Sequence, residues 1–120
     1  MSYVKQIRHE FEFDGMKVVA TLKPLALEDS IRIKNTYEET GEKDAKGRAL
    51  VRGTDATVKV MAELLPSYVV SLDGVVDAAG SPVPIGEICT AAYFIGLVAS
   101  CMRKLAEESS PKNSNPSAEA

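Results

Sequence analysis

His9 is the only imidazole in this 120-residue chain. It shares one side of a predicted strand with Ile7, Phe11 and Phe13, a setting that reads as a structural histidine rather than a catalytic base. Carboxylates gather at Glu38, Glu39, Glu42 and Asp44, but Lys43, Lys46 and Arg48 are interleaved or close by and Gly41 and Gly47 punctuate the stretch. General acid–base work needs a fixed, partly buried carboxylate pair, so this segment reads as a solvated, partly self-neutralised loop. Gly41 and Gly47 flank charges instead of joining a strand to a helix, which is not a phosphate-cradling arrangement. Asp73 and Asp77 are only two carboxylates, and calcium takes six to eight oxygen ligands. With one histidine and no Cys-x-x-Cys pair, Cys89 and Cys101 do not compose a zinc site. On a single helix over 85–108 they would lie about 18 Å apart, beyond the ~7 Å limit for a disulfide. Two buried free thiols suit a reducing compartment. The expectation is no enzyme, no metal and no cofactor.

Composition bounds the partners. A net charge of -3, from 14 basic and 17 acidic residues, argues against a nucleic-acid binder, which carries a concentrated basic face. The N-terminal MSYVKQIRHEF turns charged before an apolar signal core forms, so a cytoplasmic protein is expected.

Hydrophobic spacing sets the elements. In KQIRHEFEF the apolar side is followed by Asp14-Gly15, a two-residue hairpin signal. Met16, Val18, Ala20 and Leu22 then form a second apolar face. After Pro24 a helix is expected from Ala26 or Leu27 to about Glu39, with Leu27, Ile31, Ile33 and Tyr37 in one stripe. Residues 40–48 read as an exposed, mobile loop. A second helix is expected over Thr54–Leu65, with Val58, Met61, Leu64 and Leu65 inward, Leu50 extending the stripe upstream and Pro66 at its end. SYVVSLDGVVDAAGSPVP reads as a short strand, two extended segments or another small hairpin, with turns at Asp73-Gly74 and Ala79-Gly80. A third helix follows from Pro84 to about Glu108.

That last helix carries an uncharged run from Ile88 to Met102. At about 22 Å it is too short for a ~30 Å hydrocarbon core, so no membrane span is expected. A helix apolar on every face must be covered on every face. Ala92, Gly96 and Ser100 add a ridge of small residues. The segment is therefore expected to complete its burial against protein, with Ile88, Ala92, Tyr93, Phe94, Ile95, Gly96, Leu97, Val98 and Met102 as the interface residues. The fold class is α+β: an N-terminal β-hairpin, a predominantly helical body of about three helices and a short central extended segment. Residues 1–108 are expected to form one domain and 109–120 a polar flexible tail.

The order of elements, with HEFEFDGMKVVATLKPLALED at the start and SYVVSLDGVVDAAGSPVPIGEICTAAYF before the last helix, resembles the small tail assembly chaperones of long-tailed bacteriophages, the lambda-type family. The resemblance covers residues 7–108 and rests on the F-x-F-D-G-x-K-V hairpin, the L-D-G-V-V-D-A-A-G-S-P-V segment and element order. It implies a self-associating protein in the host bacterial cytoplasm that coats the tape measure protein and keeps it soluble until the tail tube polymerises. It also implies a longer form made by ribosomal frameshifting, and the codons of Ser110-Pro111-Lys112 permit a slippery run. The competing readings are a tube-end or adaptor protein retained in the virion tail, and a small phage inhibitor of a host protein.

Overall fold

The computed structural model describes residues 5–109. Its order is β1 (Ile7–Phe13), β2 (Met16–Leu22), α1 (Leu27–Lys34), β3 (Glu38–Lys43), β4 (Ala49–Arg52), α2 (Asp55–Tyr68), β5 (Val69–Asp73), α3 (Ile85–Ile88) and α4 (Ile95–Ser109). A 3-10 turn over Ala92–Phe94 leads into α4. The α+β class, the N-terminal hairpin and a set of three helices of seven or more residues agree with the sequence reading.

β1 and β2 pair antiparallel from Ile7–Leu22 to Phe13–Met16, with Asp14 and Gly15 at positive φ in the turn. The register brings Ile7, His9, Phe11 and Phe13 onto the same face as Leu22, Ala20, Val18 and Met16. β5 joins the other edge of β2, giving the sheet order β1-β2-β5. α4 crosses β1 and buries Leu97, Val98, Cys101, Met102 and Leu105 against the apolar face; Val18, Ala20, Leu22 and Leu65 share that core. The small residues at Gly96 and Ser100 serve this contact. A Cβ on Gly96 would stand 3.5 Å from the Phe13 ring, and Ser100 Oγ lies 2.9 Å from His9 Nε2. Two of the three ridge residues therefore lie against the chain's own sheet.

α1 ends at Lys34, well before Glu39, and of residues 40–48 only 44–48 form a loop. Glu38–Lys43 and Ala49–Arg52 form a separate two-stranded hairpin. Three threonines stop the helix: Thr36 Oγ1 donates to Ile33 O (2.6 Å), Thr57 Oγ1 lies 2.6 Å from Thr36 Oγ1, and Thr54 Oγ1 donates to Thr36 O (2.9 Å). Thr57 is buried and fully engaged there, since it also accepts from Thr54 N–H at 2.9 Å in the α2 capping box. Of the stripe expected on α1 only Ile33 is buried, while Leu27 is 77% and Ile31 48% exposed. Leu50 belongs to β4 and is also exposed, so it does not extend the α2 stripe.

α2 runs through Pro66 to Tyr68 instead of stopping at the proline. Tyr68 explains the extra turn: it is buried, its hydroxyl donates to Asp29 and it accepts from Ala26 N–H at 3.0 Å, tying the end of α2 to the start of α1. The segment after β5 makes the small second hairpin, with a Val76–Pro82 bridge. Asp77 Oδ1 accepts from the N–H groups of Ala79 and Ser81, so this carboxylate closes its own turn.

The third predicted helix is broken. Thr90 Oγ1 donates to Gly86 O (2.8 Å), and Ala91 adopts an extended backbone before the 3-10 turn. Side-chain bonding back to a helix carbonyl competes with continuation of the ladder. Cys89 and Cys101 thus lie on different elements, and the 18 Å helical separation does not apply; both are free. Burial, with a contribution from nearby Cys89, pushes the Cys101 thiol up to about 12. Among the described residues no helix is long and apolar enough to cross a membrane.

Candidate interaction groove

The break after α3 decides which apolar residues face solvent. Of the nine residues expected at an interface, Ile88, Phe94, Leu97, Val98 and Met102 are buried in the chain's own core. Ala92, Tyr93, Ile95 and Gly96 are exposed. The turn rotates Phe94 inward, where its ring centroid lies 5.9 Å from that of Phe13, and leaves Tyr93 outside, packed edge-on against both rings. The uncharged run is therefore covered mainly by the fold itself, with one exposed strip at its start.

That strip forms one wall of a groove; α2 forms the other. Val58, Lys59 and Ala62 face Ile88, Cys89, Ala91, Ala92, Ile95 and Val98 across a cavity of about 200 Å³. A second depression of about 370 Å³ continues past Ala62 to Glu63, Pro66 and Gly86, sharing Lys59, Ala62, Cys89 and Thr90 with the first. Val58, Ala62 and Pro66 are spaced by four, so one face of α2 supplies about 12 Å of wall. Small side chains make the depth: Ala62, Ala91, Ala92 and Gly86 leave room between the two backbones. Ile88, Ala92, Ile95 and Val98, all placed in the interface set from sequence, come together here, whereas Tyr93 and Gly96 do not line it.

The rim is charged asymmetrically. Lys59 borders both depressions and has no ion-pair partner among the described residues. Glu63 is held by Arg32 Nη2 at 2.7 Å. Burial raises the pKa of Cys89, so the thiol in the groove stays protonated and behaves as an apolar lining group. The arrangement is an apolar depression with one cation on its rim.

Sequence reading missed the α2 wall. It assigned Val58 to the inward face and drew no wall from its neighbours. The signal that distinguishes a groove was the small Ala62 between Val58 and Pro66, where a closed core would carry bulk. His9 lies half-buried on the apolar face of β1, stacked on Phe11 at 4.5 Å. Two carboxylates of that stretch are ion-paired: Glu38 with Arg52 at 2.7 Å and Asp44 with Arg48 at 2.9 Å. Comparison of the chain with protein families, curated proteins and solved structures returns no match.

Proposed function

We propose that this chain is a non-catalytic tail assembly chaperone of the long-tailed phage type, which holds a helical segment of the tape measure protein in the host cytoplasm until the tail tube polymerises. The observation that supports the reading is the groove between α2 and the α3–α4 connection, lined by Val58, Ala62, Ile88, Ala92 and Ile95 with Lys59 on its rim. A long helix-rich protein exposes apolar stripes before assembly and aggregates through them. A shallow apolar groove masks such a stripe and still releases it, because helix-in-groove contacts of this size are displaceable. Self-association and a longer frameshifted form belong to the same proposal.

The test is an affinity pull-down of the tagged chain from cells making a complete phage tail, with partners identified by mass spectrometry. Recovery of the tape measure protein, loss of that recovery in Ala62→Trp, and absence of the chain from purified virions support the chaperone. Stoichiometric retention in virions instead makes it a structural tail protein. Recovery of a host protein alone makes it an inhibitor.

A further inference from the structure

The sheet β1-β2-β5 has two edges, and they are not alike. β5 is five residues long and its pairing with β2 shifts at Thr21–Leu22, two devices that blunt an edge. β1 is seven residues long, pairs with β2 in unbroken register and contains neither glycine nor proline. The two-residue turn at Asp14-Gly15 makes Phe13 and Met16 a mutually hydrogen-bonded pair. By alternation Ile7, His9, Phe11 and Phe13 bond to β2, and the N–H and C=O groups of Arg8, Glu10 and Glu12 point outward from the edge. No described backbone group bonds them.

Both sides of this strand are unfinished. On the core side Phe11 and Phe13 stay half-buried, although Ile7 on the same face is buried. On the solvent side Glu10, Glu12 and Lys17 border a depression of about 350 Å³. Lys17 stands opposite Glu12 in the register, yet Glu12 has no ion-pair partner among the described residues. The strand is also its own chemical complement. Read antiparallel about Glu10, Ile7 falls opposite Phe13, Arg8 opposite Glu12 and His9 opposite Phe11. The same register sets the outward groups of Arg8, Glu10 and Glu12 against one another, as an antiparallel ladder requires. A slip of two residues toward the turn places Glu10 opposite Glu12 twice, and like charges directly opposite are destabilising. A slip the other way sets Phe13 opposite Lys5 and Glu12 opposite Gln6.

We propose that β1 pairs with β1 of a second copy of this chain, antiparallel about Glu10, making one six-stranded sheet across a two-fold axis. Each copy's Phe13 ring then meets Ile7 of the other, and Phe11 meets His9, so the half-buried aromatic row is covered. Each Arg8 enters the other copy's depression and reaches the unpaired Glu12. Arg8 holds its own Glu10 through Nε alone, at 2.8 Å, which leaves the rest of its fork for that second carboxylate. The two Glu10 carboxylates meet on the axis, each bound to its own Arg8. This contact gives a surface to the self-association proposed above, but it rests on β1 alone. Capture of a tape measure segment can fail while the dimer stands, and the reverse.

The experiment uses the full chain with no partner added. Sedimentation velocity over concentrations from about 1 to about 500 µM is expected to show a monomer–dimer equilibrium. Arg8→Glu sets like charges opposite one another twice and is expected to weaken the dimer about tenfold. Adding Glu12→Arg to that variant restores opposite charges and the affinity. Both positions are exposed, so the far-ultraviolet circular dichroism of these variants stays that of the wild type. Cysteine cross-linking with copper phenanthroline reads the register. Glu10→Cys brings two Cα atoms to about 5.5 Å on the axis, within disulfide reach, and is expected to cross-link. Arg8→Cys leaves them about 14 Å apart, four residues out of register, and is not. A monomer at every concentration, a dimer indifferent to Arg8→Glu, no rescue by the double variant, or equal cross-linking of the two cysteine variants would each overturn the proposal.

Discussion

The β1–β2 and β3–β4 hairpins are built on opposite principles. β1–β2 alternates apolar and polar residues, and Val18, Ala20 and Leu22 are wholly buried beneath α4. β3–β4 has no such alternation and no buried strand residue. Its order comes from its ends. Asp44 Oδ1 accepts from the N–H groups of Lys46 and Arg48 at the tip, and Glu38 binds Arg52 through two nitrogens at the base. The first hairpin is held by what it excludes from water, the second by local polar geometry. Local polar geometry is worth much less per residue.

The contrast should be sharpest at two glycines. Gly74 follows β5 at φ +96°, and a Cβ there would lie 2.1 Å from Lys17 O on β2. Gly74→Ala combines a backbone clash with an unfavourable φ and is expected to cost about 2–6 kcal/mol. Gly47, at the tip of the other hairpin, has a similar φ of +79° but nothing within 4 Å, so Gly47→Ala should cost only about 1 kcal/mol. Chemical denaturation of both variants measures the difference; equal losses would break the comparison.

Side-chain truncation asks the same question through packing. Leu22→Ala opens a cavity beneath the sheet and should cost about 2–5 kcal/mol, whereas Leu50→Ala on the exposed ribbon should stay within about 0.5 kcal/mol. Arg52→Ala removes an exposed ion pair and is expected to cost no more than about 1 kcal/mol, falling further in high salt.

The smallest effect is the pH dependence that His9 gives the first hairpin. Burial between β1 and α4 lowers the pKa of His9 below 6.5; Lys104 and Arg103 on α4 add to the shift, and Glu107 opposes it. Between the folded and unfolded values the unfolded chain binds more protons, so this contribution is full above about pH 6.5 and is lost as pH falls through the folded pKa. Thermal melts of wild type and His9→Gln at about pH 7.5 and about pH 5 should show a smaller acid-induced drop in the variant. An identical drop would mean that His9 carries none of it.

The same contrast explains what was legible. Period-two spacing around Asp14-Gly15 announces β1–β2, because burial of one face imposes it on the residues. β3–β4 carries no such mark: TGEKDAKGR looks like a solvated loop, and the strands exist because Glu38 and Arg52, fourteen positions apart, find one another across a tip closed by Asp44. α1 likewise overran its end in the reading, since Tyr37 continues the apolar stripe while the threonine cluster that stops the helix is assembled partly from α2. The groove was half visible. Ile88, Ala92, Ile95 and Val98 stand out as uncharged residues, but their opposite wall depends on how α2 packs.

Composition and periodicity alone determined the α+β class, the first hairpin and its inward face, and the apolar character of 88–102, because these follow from local geometry and the exclusion of water. The tertiary structure decided where that apolar run bends. A single helix from 85 to 108 satisfies every local preference, yet Phe94 reaches the core beside Phe13 only if the chain breaks at Thr90–Ala91. Burying an aromatic ring outweighs a few helical hydrogen bonds that water or a threonine hydroxyl can replace.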